Sequence, residues 1–177
     1  VVTRESLALV LEHQDRSPEI PWFVCASYSR PHSPLTAPGR YIRRYIDKVP
    51  PPVVGPEASD RLEPFARRLE FDLTDEQLTR AREAYYASVD FVDDCIGELL
   101  DGLQKAGALE NTIVIYTSDH GEMMGSHNRT GKRLPHEESC RAPFIVRYPG
   151  VTPTGEASDG ILSTIDLYPT LCGLAGF

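Results

Sequence analysis

Residues 112–121 read TIVIYTSDHG and decide the fold class, because they join a strand pattern to a cluster of polar side chains. The part TIVIYT is short and rich in β-branched residues, which is typical of a central strand. Two further strand candidates, each bounded by prolines, are residues 22–28 (WFVCASY) and residues 144–148 (FIVRY). The aromatic and apolar content of residues 22–28 predicts a buried strand.

A long amphipathic helix is predicted over residues 75–105, between the strand candidates at residues 22–28 and 112–117. Residues 74–77 read TDEQ, which matches a capping box at a helix start. Apolar residues then recur every three or four positions and predict one buried face: Leu78, Ala81, Tyr85, Val89, Val92, Ile96, Leu99 and Leu103. Shorter helices are predicted over residues 3–13, with Thr3 at the start, and after a cap at Asp166.

Strand, long helix and strand in succession indicate α/β architecture, with a mostly parallel sheet flanked by helices. Three or four strands are few for such a sheet and would leave an uncovered edge. We therefore expect the chain to be part of a larger domain. Residues 49–72 contain five prolines, and we interpret them as an irregular excursion within that domain.

Composition narrows the classes of partner. The 177 residues include 18 Lys and Arg against 26 Asp and Glu, and the net charge of −8 argues against nucleic acid. No apolar run approaches the roughly 18 residues of a membrane span, so a soluble globular chain is expected. The four cysteines are far apart, which predicts free and mostly buried thiols: Cys25, Cys95, Cys140 and Cys172.

Asp119 and His120 follow the TIVIYT strand directly, where ligands bind in open parallel sheets. A carboxylate oxygen and an imidazole nitrogen can hold a divalent cation if other carboxylates join them. Gly121 would let the backbone turn sharply beneath this pair. In an isolated pair of this kind, the aspartate is more often a turn cap and the histidine an ordinary loop residue.

The residues downstream extend the pattern. Residues 118–127 read SDHGEMMGSH, residues 131–132 read GK, and residues 137–143 read EESCRAP before the last strand. This order and spacing resemble the sulfatase family of the alkaline-phosphatase superfamily. Other segments that resemble sulfatase segments come in the right order: PHSP at 31–34, YYA at 85–87, VDD at 92–94 and DLYPT at 166–170.

The resemblance implies an alkaline-phosphatase-like sulfatase fold, incomplete in this chain, and a role for four residues. Asp119 and His120 match the family's second pair of metal ligands, usually to calcium. Lys132 matches the lysine that binds the sulfate group, where an ammonium can stabilise developing charge. His32 matches the histidine that contacts substrate and protonates the leaving alcohol, which suits an imidazole near neutral pH. The alternatives are a solvated loop lysine and a structural histidine.

Neighbouring residues receive weaker assignments by the same resemblance. His127 orders the loop near the metal site, and Glu137 and Arg141 pair as scaffold. Arg129 and Arg133 flank Lys132, where they would help to recognise an acidic substrate such as a sulfated sugar or be solvated charges.

Sulfatases attack sulfur with a formylglycine made from Cys or Ser in a C/S-x-P/A-x-R motif, which no cysteine of this chain matches. The formylglycine and the first metal-ligand pair are therefore expected outside the chain. Residues 1–177 would be the C-terminal portion of a single sulfatase catalytic domain, inactive without the remainder of that domain. A small sulfated substrate is implied, as a sugar, aryl or alkyl sulfate, and exported relatives favour a periplasmic or secreted location.

Two alternatives stay open. Phosphonate monoester and phosphodiester hydrolases of the same superfamily share the Asp-His and Gly-Lys pattern. A noncatalytic remnant would have kept this part of the domain and lost the chemistry.

Overall fold

The computed structural model describes residues 1–52 and 73–177. Its helices and strands, in chain order, are α1 (Val2–Arg16), α2 (Gly39–Tyr45), α3 (Asp75–Lys105), β1 (Val114–Thr117), α4 (Glu137–Cys140), β2 (Phe144–Arg147) and α5 (Leu167–Leu174). Single 3-10 turns lie at Leu109–Asn111, Ser126–Asn128 and Thr164–Asp166. Most of the predicted excursion over residues 49–72 lies outside the described residues.

Helix α3 has the bounds that the sequence predicts. The Thr74 hydroxyl accepts a hydrogen bond from the Gln77 amide at 3.2 Å, and the Gln77 side chain accepts one from the Thr74 amide at 2.9 Å. This reciprocal pair is the predicted capping box. Gly107, with φ of +69°, follows the end of the helix and supplies the left-handed residue that helix ends favour.

One side of α3 packs against α2 and the preceding loop; we call it the closed face, made of Glu83, Ala87, Ser88, Asp90, Phe91 and Asp94. Tyr41 of α2 is fully buried there and donates its hydroxyl hydrogen to Asp94 at 2.7 Å. Its ring lies 5.4 Å from that of Phe91. Arg44 pairs with Asp90 at 2.8 Å. Aromatic packing and directed polar contacts therefore hold α2 on α3.

The opposite side of α3 is the apolar stripe, and we call its first part the open face: Leu78, Ala81, Tyr85, Val89, Val92 and Ile96. The prediction that this face is buried is wrong for the described residues. None of these side chains is fully buried, and Val89 is 43% exposed. The open face borders a wide hollow instead of a neighbouring element, because the strands and loops opposite it do not close over it.

The last turns of α3 meet α1 in a small core of Val10, Leu103 and Ala108. Gly102 permits this approach, because a Cβ there would lie 2.4 Å from a methyl group of Leu7. Helix α1 is confirmed but begins one residue earlier than predicted, so Thr3 is not its cap. The buried Thr3 hydroxyl donates a hydrogen bond to the Cys95 carbonyl at 3.2 Å instead.

Strands β1 and β2 form an antiparallel pair, with Val114 opposite Arg147 and Thr117 opposite Phe144. Both predicted strands are therefore present, but they pair antiparallel and do not form the predicted parallel arrangement. Residues 22–28 are extended but join no ladder among the described residues, so the predicted buried strand is wrong. Every second residue of this segment is half-buried, which is the alternation of an extended chain with only one covered face.

The thiols and the C-terminal segment are more open than the sequence suggests. All four cysteines are free, as predicted, but none is buried, because the surfaces that carry them lie open.

Asp166 occupies the cap position of α5, yet its carboxylate accepts from the Ser163 amide at 2.9 Å and closes the preceding turn. No helix in the described part of the chain has the length and apolarity needed to cross a membrane.

Candidate active site

An open hollow of about 2090 Å³ lies between the open face of α3, the extended residues 22–33, the end of β1 and helix α5. Pockets for small ligands are usually about 300 to 1,000 Å³, so this hollow exceeds what one ligand needs. Its apolar part is the open face, and its polar part follows β1. The candidate chemistry lies at the polar part.

The structure brings the four predicted site residues to this one hollow. His32, Asp119, His120 and Lys132 all border it. They come from three separate segments: a loop after the extended residues, the end of β1, and the turn before α4.

Asp119 and His120 lie directly beyond β1, as predicted, with Asp119 Oδ2 3.3 Å from His120 Nε2. His120 Nδ1 lies 2.7 Å from the Gly121 carbonyl oxygen, which can only accept, so Nδ1 carries the proton. In the neutral ring, Nε2 then offers a lone pair toward the carboxylate. Two acceptors facing each other at this distance suit a cation held by both.

This pair supplies only part of a metal site. Within residues 1–52 and 73–177, no group of three or more His, Cys, Asp or Glu side chains is arranged to hold a metal ion. Calcium takes about six to eight oxygen ligands. A calcium site at Asp119 and His120 therefore requires ligands from outside the described residues.

Gly121 is required by a close approach between two backbone segments. A Cβ at this position would lie 2.1 Å from the Glu138 carbonyl oxygen. The Gly121 amide also donates to the Ser139 carbonyl at 2.8 Å. Residues 137–140 are therefore held directly against the end of the Asp-His segment, with no room for any side chain between them.

The loop from Glu122 to Lys132 turns back on itself before it reaches the lysine. The Met123 amide donates to the Gly131 carbonyl at 2.8 Å, and the Gly125 amide donates to the Arg129 carbonyl at 2.7 Å. The Glu122 carboxylate accepts from the Gly131 amide across the base of this loop. Glu122 was not among the predicted site residues, because its only signal in the sequence is an acidic residue directly after the Asp-His-Gly run.

His127 and His136 stack beside this loop, with ring centroids 4.4 Å apart and an interplanar angle of 13°. His127 Nε2 lies 3.4 Å from the Glu138 carboxylate, so this histidine joins the loop to α4. Arg129 is only 8% exposed, which makes the solvated-charge alternative wrong for it. The backbone of Arg141 bonds to that of Glu137 at 2.8 Å as part of the same turn.

Arg82 is a second residue that sequence analysis missed. This arginine of α3 is only 7% exposed, and its guanidinium donates to the Met124 carbonyl at 2.6 Å and to the Pro50 carbonyl at 2.9 Å. It therefore anchors the loop that carries the candidate site to the long helix. A charged residue in a helix usually indicates a solvated position, so no pattern in the sequence identifies this contact.

His32 lies in the predicted loop and is exposed. Its Nδ1 is 2.8 Å from the Ser33 carbonyl oxygen, so Nδ1 carries a proton and Nε2 is the atom left for proton transfer. The guanidinium of Arg30 donates to the Pro34 carbonyl and closes this loop from the other side. Lys132 is half-buried at the edge of the hollow, directly after Gly131.

The fold is that of the alkaline-phosphatase-like class. A phosphonate monoester hydrolase from Agrobacterium radiobacter superposes with a TM-score of 0.83 and 30% sequence identity, over 98% of this chain and 38% of that one. The sulfatase family model matches residues 1–177. The chain belongs to the sulfatase family, and the predicted α/β fold class is confirmed.

Curated relatives agree with this assignment. An arylsulfatase from Clostridium perfringens is 38% identical over 168 residues, which are 90% of this chain and 35% of that protein. A choline-sulfatase from Rhizobium meliloti is 33% identical over 173 residues, which are 93% of this chain and 33% of that protein. The chain thus spans about a third of the length of these two relatives.

Proposed function

We propose that residues 1–177 are the C-terminal portion of a single sulfatase catalytic domain and form part of a site that hydrolyses sulfate esters. The observation that supports this most is that His32, Asp119, His120 and Lys132 border one hollow although three separate segments carry them. The nucleophile, a formylglycine, lies outside this chain in the proposal. The remainder of the domain is the partner that covers the open face.

Asp119 and His120 hold a divalent cation, most simply calcium, in this proposal. The fit rests on the donor atoms, since Asp119 Oδ2 and His120 Nε2 face each other at 3.3 Å. A bound cation would neutralise negative charge on the sulfate oxygens. The Asp119 carboxylate is kept in place by its other oxygen, which accepts from the His120 amide at 3.0 Å.

Lys132 binds the sulfate group in the proposed reaction. Negative charge grows on the sulfate and bridging oxygens as the S–O bond breaks, and an ammonium already in place stabilises it. His32 holds a proton at Nε2 and gives it to the oxygen of the leaving alcohol. The hydrogen bond from its Nδ1 to the Ser33 carbonyl, at 2.8 Å, orients the ring for this transfer.

The substrate class that we propose is a small sulfate monoester. The arylsulfatase and choline-sulfatase relatives favour an aryl or alkyl sulfate. A sulfated sugar belongs to the same chemical class, and the exposed Arg133 beside Lys132 would suit its acidic groups.

A phosphonate monoester hydrolase is the second candidate, because an enzyme of that name superposes with a TM-score of 0.83. The two candidates separate in one assay on the complete protein, which compares kcat/KM for 4-nitrophenyl sulfate and for a 4-nitrophenyl phosphonate monoester. A higher value for the sulfate is expected. A higher value for the phosphonate would replace the proposed function with the second candidate, and no turnover of either would favour a noncatalytic remnant.

Lys132→Ala in the complete protein is expected to lower kcat by about 10²-fold or more, because one preorganised charge contact to the developing anion is lost. Lys105→Ala, at the exposed end of α3, is the matched control and should leave kcat unchanged. Steady-state kinetics with an aryl sulfate measure both. An unchanged rate in Lys132→Ala would remove this residue from the site.

A further inference from the structure

Glu122 links the two parts of the candidate site through backbone hydrogen bonds. It follows the Asp-His pair by two positions, and its carboxylate accepts from the Gly131 amide, one residue before Lys132. The same oxygen lies 3.5 Å from the Met124 amide. We infer that Glu122 is a positioning residue that holds the Lys132 ammonium at the sulfate-binding position; this inference rests on the proposed function.

Gly131 is held on both sides of its peptide. Its amide donates to Glu122, and its carbonyl accepts from the Met123 amide at 2.8 Å. Its φ of +83° is a conformation that L side chains rarely adopt but that glycine adopts freely, so these contacts restrict a backbone that has many other conformations open to it. The Cα of Lys132 is thereby placed relative to the end of β1.

Placement of the backbone matters because a lysine side chain is long and flexible. A free lysine loses considerable rotamer entropy when its ammonium is confined to one position. A fixed starting point reduces the volume that the ammonium samples and keeps it near the sulfate oxygens. Displacement of a binding group by about 1 Å can cost about 10²-fold in rate, so a contact at Gly131 can act on catalysis through Lys132.

The contacts of Glu122 separate this role from metal binding. The oxygen that reaches Gly131 is already committed to a backbone amide, and Glu122 belongs to no metal-binding group within the described ranges. The Glu122 charge also acts on Tyr85 of the open face: burial first, and then this charge, raise the pKa of the Tyr85 hydroxyl. The Glu122 carboxylate thus contacts the backbone of the loop, where it can serve as a fixed anchor.

The test uses the complete protein and three substitutions at one position. Glu122→Gln keeps an acceptor oxygen at the same reach and should retain kcat within about threefold. Glu122→Asp keeps the charge but is one methylene too short, and Glu122→Ala removes the acceptor; both should lower kcat by about tenfold or more. Glu98→Gln, exposed on α3 and outside the hollow, is the control and should match the parent.

A double-mutant cycle with Lys132 measures whether the losses in kcat at the two positions are coupled. A merely structural role of Glu122 would not produce this coupling. If Glu122 acts through the lysine, Glu122→Ala should add little to the loss in Lys132→Ala. The Gly131 amide should also exchange with deuterium faster in Glu122→Ala and Glu122→Asp than in the parent or Glu122→Gln. Thermal unfolding shows which variants are folded, and the Asp and Gln pair suffices if the Ala variant is not.

Additive losses in the cycle, or equal damage in Glu122→Gln and Glu122→Ala, would overturn the inference. Full activity in Glu122→Asp and Glu122→Ala beside a large loss in Lys132→Ala would overturn it while leaving the proposed function standing. Full activity in Lys132→Ala would overturn both, and the two failures are therefore distinguishable.

Discussion

The two faces of α3 differ in what covers them and in what holds them. The closed face carries Glu83, Asp90 and Asp94, yet it is packed against α2 by a buried tyrosine and several hydrogen bonds. The open face is apolar and borders the hollow. An apolar helix face indicates a surface that another element normally covers. Which face is covered within this chain depends instead on the specific contacts that α2 makes.

This difference agrees with the proposal that the remainder of a sulfatase domain packs on the open face. A large apolar surface that stays in water is unusual for a monomer and marks an interaction site. The closed face, in contrast, is complete, because every carboxylate named on it has a partner from α2 or the segment directly after it. Substitutions on the two faces should therefore behave differently.

The largest expected effect comes from the closed face. Tyr41→Ala removes a fully buried ring and the hydroxyl donor to Asp94, and should lower the free energy of unfolding by about 3–5 kcal/mol. Tyr41→Phe keeps the ring and should cost only about 1–1.5 kcal/mol. Urea unfolding of the complete protein measures both. A loss below about 1 kcal/mol in Tyr41→Ala would mean that α2 does not depend on this contact.

The next test addresses the open face. The 177-residue chain by itself should bind the apolar dye ANS at this face, and Val89→Lys should lower that fluorescence about twofold, because a charge enters the apolar stripe. Leu9→Lys is the matched control, since Leu9 of α1 is 58% exposed and does not line the hollow. If the complete protein binds the dye equally well, nothing covers the open face and the proposed domain arrangement is wrong.

The smallest expected effect is a pH dependence at the closed face. The Asp47 amide hydrogen bond, and less so Arg80, hold the pKa of Glu83 below its ordinary value of 4.5, although burial opposes them. A carboxyl group whose pKa is lower in the folded chain than in the unfolded chain stabilises the fold at pH values above the unfolded pKa. This stabilisation is lost as the pH falls through the folded pKa.

Glu83→Gln should therefore be less stable than the parent at about pH 7, and the difference should shrink on acidification below about pH 4.5. Unfolding free energies measured across this range give the two slopes. Glu98→Gln, an exposed position on the same helix, is the matched control for the substitution itself. Parallel curves for the parent and Glu83→Gln would show that Glu83 titrates alike in the folded and unfolded chain.

Local signals in the sequence were sufficient for the elements. Thr74 and Gln77 predict where α3 begins, and the β-branched run predicts β1, because capping and strand preference depend on near neighbours. The pairing of β1 with β2 and the isolation of residues 22–28 depend on which segments meet in space. A strand pattern states that a segment is extended and does not state which partner it has.

The candidate site divides in the same way. Resemblance to sulfatase motifs selected His32, Asp119, His120 and Lys132, and their roles remain proposals. That all four border one hollow is visible only in the fold, because His32 is far from the others along the chain. Glu122 escaped notice because its contact to a backbone amide nine positions away leaves no periodic trace.

The buried guanidinium of Arg82 also has a consequence for the order of folding. Its hydrogen bonds join residues that are 32 and 42 positions apart in the chain. Contacts of such separation form only after the entropy of closing the intervening chain has been overcome, so the loop at Met124 should become ordered late. Replacing Arg82 with Lys should accordingly speed unfolding more than it slows refolding, because contacts absent from the transition state act on the unfolding rate.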